Sequence, residues 1–317
     1  AFSNRWTGPI TVADYARIGA STNSTLTLAG GVNGVNGEQD LYLGGVGPIY
    51  VINTGLGSNL RHLTKDNANT VTLSAASSWI GCTYLSNGML RATLTEATSA
   101  STPFLVSTGG VFNLNNYSQT IGSLQDGNAD PANMGGQVWL GTANLTAGGN
   151  GSNTTWHGVI SGTGGFNKQG LGTMIMAGTN TYSGPTTVSN GTLIVRGASP
   201  YSAHTTYPGG TLMGDGPVGD LTVGGIVDPG NDLGLTATLQ SGPIQLIGGG
   251  TMKVDMSAAN GAPGTAWDLL NSYGGVTVQT NGTFTIRPQG NPAGFDNTLN
   301  YSWKIMSGVS AVDRKST

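Results

Sequence analysis

A chain of 317 residues with 54 Gly, 9% charged and 37% hydrophobic residues is too apolar for a disordered linker and short of the charge such a linker carries. Its net charge of −3 offers no basic field, which excludes nucleic acid as the expected partner. It has no run of about 18 apolar residues, so no membrane-spanning helix is predicted.

In chain order, "TGPITV" at 7–12 and "NSTLTLAGG" at 23–31 predict two short strands separated by turns. Residues 59–85 hold a local excess of charge (Arg61, Lys65, Asp66) and read as a loop or one distorted rung. "SNGMLRAT" at 86–93 and "TGGVFNL" at 108–114 then introduce a recurring pattern. A turn ending in Gly is followed by a small residue, then Leu, Phe or Met, then alternation. Residues 123–137 bring Asp-Gly, Asp-Pro and Gly-Gly close together and predict a turn-rich insertion. The pattern returns as "SNGTLIV" at 189–195, "PGGTLMG" at 208–214, "GGGTMKV" at 248–254 and "TNGTFTI" at 280–286. "SGPTTV" at 183–188 also repeats the stretch at 7–12.

Gly88 and Gly110 are 22 residues apart, and Gly191 and Gly210 are 19 apart. A period near 20 residues is that of a solenoid coil made of short strands. The expected fold is all-β, with strands almost throughout and no helix. Alternation places one residue in a narrow core and the next in solvent, and Gly or Asn supplies the positive φ of each corner. On the order of 14 rungs, stacked about 4.8 Å apart, would give a rod roughly 70 Å long, with outward Thr and Asn in ladders.

Residues 159–197, "VISGTGGFNKQGLGTMIMAGTNTYSGPTTVSNGTLIVRG", resemble the autotransporter-associated β-strand repeat, also called the passenger-associated transport repeat. Lys168, Gly170, Gly172, Thr173, Asn180, Tyr182, Gly184, Thr187, Val188, Gly191, Thr192 and Leu193 fill its pattern, as structural positions. Phe166, Met174 and Met176 stand where Leu is usual. The stretches 109–127, 209–232, 264–278 and 295–308 resemble the flanking and closing parts of secreted repeat proteins of this kind. The resemblance implies a right-handed parallel β-helix, an elongated rod at or beyond the bacterial cell surface. The expected division is solenoid repeats over 1–258, with C-terminal rungs and a cap over 259–317 continuous with them.

The enzyme reading requires clustered acid–base or metal-ligating groups. Glu38 and Glu96 are the two Glu among 15 acidic residues, so 13 are Asp, scattered mostly at turns. The densest group, Asp215, Asp220, Asp228 and Asp232, is read as four turn caps rather than a calcium site. His62, His157 and His204 are isolated and are expected at the surface or in turns. Cys82, without a partner, is expected to be a small buried hydrophobe. Six widely spaced Trp predict packing rather than sugar binding, and the Asn-x-Ser/Thr matches follow from composition.

No catalytic, metal or cofactor-binding residue is therefore predicted, and no cofactor. The expected function is that of a non-enzymatic extracellular structural protein. Identical subunits are expected to self-associate end to end into a filament or surface layer. The start "AFSNRWTGPITV" has neither an initiator Met nor a signal peptide and reads as a mature product or a fragment. The alternatives are a passenger-type adhesin or glycan-binding module making cell-surface contacts and, further off, a polysaccharide-cleaving β-helix enzyme.

Overall fold

A computed structural model describes residues 2–127, 135–230, 235–279 and 282–308. The described residues are all-β, without a helix, and their parallel strands stack as a β-solenoid of about 11 turns. The turns are fewer than the roughly 14 expected because several exceed 20 residues. Val138, for example, is the rung neighbour of Phe112. Two compact units divide the chain, Ala1–Phe166 and Asn167–Thr317.

In the first unit, the same strand position enters the core on successive turns. Ile49, Val71, Leu90, Phe112, Val138 and Ile160 lie in register in one buried ladder. A second buried ladder runs through Leu41, Leu63, Thr83, Phe104 and Leu124. Each full burial of such an apolar side chain contributes about 1.5–3 kcal/mol, so a narrow core is supported by its length. The long strands Thr83–Ala92 and Pro103–Asn113 serve both faces, and a bulge between Leu85 and Asn87 turns the chain from one to the other.

In the second unit, Leu193, Leu212, Val227 and Met252 form the equivalent buried ladder. Its outward counterpart aligns Thr187, Thr205, Thr222, Gln245 and Thr277 across five strands. Uncharged hydroxyls and amides tolerate this stacking, whereas like charges directly opposite would repel.

The glycine pairs read from sequence are rung neighbours: Gly88 lies opposite Gly110, and Gly191 opposite Gly210. "GGGTMKV" and "TNGTFTI" differ from their expected alignment. Thr251 pairs with Thr285 rather than Thr283, a slip of two residues that keeps every side chain on its face. Residues 59–85 are not a loop but part of the coil, irregular where the register shifts between the Gln39–Leu60 and Leu41–Leu63 pairs. They contain the paired strands Leu60–Lys65 and Thr70–Ser74 and the start of the next. The insertion expected over 123–137 begins instead with the strand Ser123–Asp126, which pairs with Pro103–Val106. Its middle, 128–134, lies outside the described residues.

Candidate functional site

On the first unit, parallel pairing aligns Arg17, Tyr42, Thr64 and Tyr84 across four strands. Tyr42, Thr64 and Tyr84 line a shallow groove with Asp40, His62 and Ser86. Tyr15 packs against Tyr42 with ring centres 4.8 Å apart, and the Arg17 guanidinium lies 5.6 Å over the Tyr42 ring. Arg17 is also held by Asp66 and by Asn67 at 3.1 Å. Arg61 grips both oxygens of Asp40 at 2.9 Å, and this bond is the main reason the Asp40 carboxyl sits below the ordinary carboxylate range. Asp40 is thus an ionised anchor. Its environment is opposite to that of a general acid, whose pKa must be raised. His62 accepts a hydrogen bond at Nδ1 from the Cys82 backbone N–H, 2.8 Å, and lies edge-on to Tyr84. Cys82 itself is half-buried rather than fully buried.

A different group occupies the second unit. Asp228, Asp255 and Asp268 are all buried, each offering a carboxylate oxygen within 4.8 Å of the others. Asp228 does not cap a turn: it lies in the strand Ile226–Pro229, opposite Met213. Asp255 closes the strand Thr251–Asp255 of the next turn, and Asp268 immediately precedes Leu269–Ser272. The Asp268 carboxylate accepts backbone N–H bonds from Asp255 at 2.7 Å and Ala237 at 2.9 Å. Lys253 Nζ faces Asp228 Oδ2 at 3.6 Å, while Asp228 Oδ1 is buried without a hydrogen-bond partner. Burial pushes all three carboxyls up, Asp268 to about 7. Of the four acids singled out in sequence, Asp228 alone joins this cluster. Asp215 and Asp220 are exposed, and Asp232 lies outside the described residues. Asp255 and Asp268 gave no local signal, because only stacking of turns brings them to Asp228.

A third arrangement occurs twice. Lys65 is buried, and its ammonium donates to the backbone carbonyls of Asn67 and Asn87. Lys168 is likewise buried and donates to Gln169 and Gly170 at 2.9 Å and Asn190 at 3.2 Å. Burial lowers both amines to about 8. The following large aromatic is buried and bonds four residues on in both places: Trp79 Nε1 to Thr83 Oγ1 at 2.9 Å, and Tyr182 OH with Thr186 Oγ1 at 2.6 Å. Each segment then reaches a positive-φ glycine, Gly88 at 76° or Gly191 at 65°. A family model, the passenger-associated-transport-repeat, matches residues 63–92 and 166–195. The chain carries two passenger-associated transport repeats.

Among known proteins the chain is similar to an adhesin, the BmaC autotransporter of Brucella suis biovar 1, with 35% identity over 130 residues. The match covers 40% of this chain and 4% of that adhesin's length. The second repeat was legible from its local pattern. The first was hidden because Asn67 and Asn69 replace the glycines of Gly170 and Gly172, and Trp79 replaces Tyr182. Within the second repeat, Gly170 takes φ 69°, and Asn180 is buried with its side-chain amide donating to the Gly178 carbonyl. The Gly184 carbonyl accepts the Ser202 hydroxyl at 2.7 Å, and Ser202 also meets Thr186. Thr187 donates to Asn167 Oδ1 at 2.8 Å, Val188 and Leu193 enter the core, and Thr173 pairs with Thr192.

One histidine departs from expectation. His204 lies in the core of the turn that follows the second repeat, with Nδ1 at 2.8 Å from the Ser202 carbonyl and Nε2 at 3.0 Å from Ser199 Oγ. Burial lowers it to about 4. His157 stays at the surface, 2.6 Å from Asp126. Three Trp are core residues (Trp79, Trp156, Trp267), whereas Trp6 and Trp139 are exposed.

Proposed function

We propose that this chain is a non-enzymatic, surface-exposed passenger segment with an adhesive role, and that the groove around Tyr42 and Tyr84 is its contact face. The carrying observation is the Arg17–Tyr42–Thr64–Tyr84 ladder in a chain with two passenger repeats. Similarity to an autotransporter adhesin supports the same reading. Flat aromatic faces beside fixed Asp and Arg side chains suit the apolar faces and hydroxyls of a sugar, or the side chains of a host-surface protein. The groove's carboxylate is tied to Arg61 rather than paired with a second carboxylate of raised pKa, so the arrangement favours holding over cleaving.

A glycan array and a cell-binding assay test this. Tyr42→Ala together with Tyr84→Ala should reduce binding at least tenfold without changing the melting temperature, since each truncated contact is worth about 1 kcal/mol or more. Unchanged binding by a folded double variant would sink the assignment of this face.

A second reading, end-to-end self-association of the chain, draws on the strand Phe2–Trp6. It pairs with Ser24–Leu28 along one edge, and every residue in it is exposed.

A further inference from the structure

We propose that Asp228, Asp255 and Asp268 bind one hard divalent cation, with calcium the best fit. The inference is independent of the adhesive reading, since the cluster lies in the second unit and the groove in the first.

Charge is the first argument. With all three carboxyls ionised, they and the Lys253 ammonium would place two net negative charges in a buried site, which is strongly unfavourable without a counter-ion. One divalent cation neutralises them.

Satisfaction of polar atoms is the second. Asp228 is only 5% exposed, one of its oxygens faces Lys253, and the other has no hydrogen-bond partner. An orphaned, buried carboxylate oxygen has the acceptor capacity that a metal ligand uses. Asp268, fully buried, has each oxygen oriented by a backbone N–H and retains a further lone pair on each. Bonds of this kind are the outer contacts that fix a ligating carboxylate.

Size is the third. Two ligands on opposite sides of a calcium ion are about 4.6–5.2 Å apart, and on opposite sides of magnesium about 4.0–4.2 Å. The three ligand oxygens all fall within 4.8 Å of one another, inside the span that the ligands of one calcium ion occupy. All three donors are oxygens, which disfavours zinc and copper. Second carboxylate oxygens and water would complete the six to eight ligands calcium takes.

The sequence could not show this. Asp228 lies one turn away from Asp255 and Asp268, which flank a single loop, and the tandem spacing of a calcium loop is absent. Each residue alone resembles an ordinary turn acid.

The test uses the full chain, stripped with chelator and titrated with calcium chloride by calorimetry. Magnesium chloride serves as the comparison, and terbium luminescence reports on the site through neighbouring Trp267. One equivalent of calcium should bind, more tightly than magnesium, and saturation should raise the melting temperature by about 5 °C. Asp228→Asn should abolish that gain while leaving the calcium-free protein at least as stable, because it removes a buried charge. Asp255→Asn should also abolish the gain. Lys253→Met, which removes the competing ammonium, should tighten binding and serves as the gain-of-affinity control. No saturable binding by the wild-type chain at millimolar calcium, or binding that survives both Asn variants, overturns the proposal.

Discussion

At the scale of single residues, burial sets the chemistry and sequence position conceals it. His204 looks like a turn residue in "YSAHTTY", yet stacking of Thr186, His204 and Leu221 puts its ring inside the coil. There Ser199 and Ser202 satisfy both ring nitrogens of the neutral form. Its pKa is depressed to about 4 from an ordinary value near 6.5, so the unfolded chain takes up a proton that the folded chain refuses. The stability contributed by the neutral ring is therefore complete above about pH 6.5 and is lost as pH falls toward 4, by roughly 3 kcal/mol. Denaturant melts at pH 7 and pH 4.5 should show that slope. His204→Gln should flatten it, with some loss at pH 7, whereas an unchanged slope in a folded variant would place the titration elsewhere. The buried lysines follow the same logic of hidden context. Lys65 sits in a charged stretch that reads as solvated, and only its three-dimensional equivalence to Lys168 shows that it closes a corner by binding carbonyls.

At the scale of the strand, alternation and corner chemistry were both readable. The Gly88–Gly110 and Gly191–Gly210 pairs are neighbours because each turn must bring the same corner back over itself. Other corners carry no such signal: Asn67 and Asn69 stand where the second repeat has Gly170 and Gly172, so the turn holding Lys65 reads from sequence as a loop or one distorted rung. Two glycines separate the causes of corner conservatism. Gly191 and Gly151 have nearly the same backbone, φ 65° and 73°. A Cβ at Gly191 would meet the Gly170 carbonyl at 2.4 Å and that of Gly172 at 2.6 Å, whereas at Gly151 it meets nothing within 4 Å. Gly151→Ala should therefore cost only the left-handed conformation, about 1–2 kcal/mol. Gly191→Ala carries that cost plus a backbone displacement between turns, and should lose at least about 3 kcal/mol. Equal costs in urea melts would show that conformation alone, and not close stacking, demands glycine.

At the scale of the whole molecule, a solenoid's free strand edges decide what it joins. In Phe2–Trp6, Phe2 donates its N–H to Asn23 and Trp6 accepts from Ala29, so even-numbered residues face the neighbouring strand. Ser3 and Arg5 therefore direct their backbone groups to the opposite edge, which has no strand on it among the described residues. An unpaired row of donors and acceptors, flanked by Phe2 and Trp6 at 80% and 56% exposure, is a template for another strand. A second copy of the chain or a preceding stretch of a longer one would satisfy it equally. If copies do so, the contact is heterologous and propagates, since the surface it uses differs from the surface it meets. Mass by light scattering should then rise steadily with protein concentration instead of stopping at a dimer. Ser3→Pro with Arg5→Pro deletes two edge donors while leaving the bonds to Ser24–Leu28 in place, and should hold the protein monomeric. A wild-type mass that stays monomeric at millimolar concentration would leave the adhesive face as the chain's proposed outward contact.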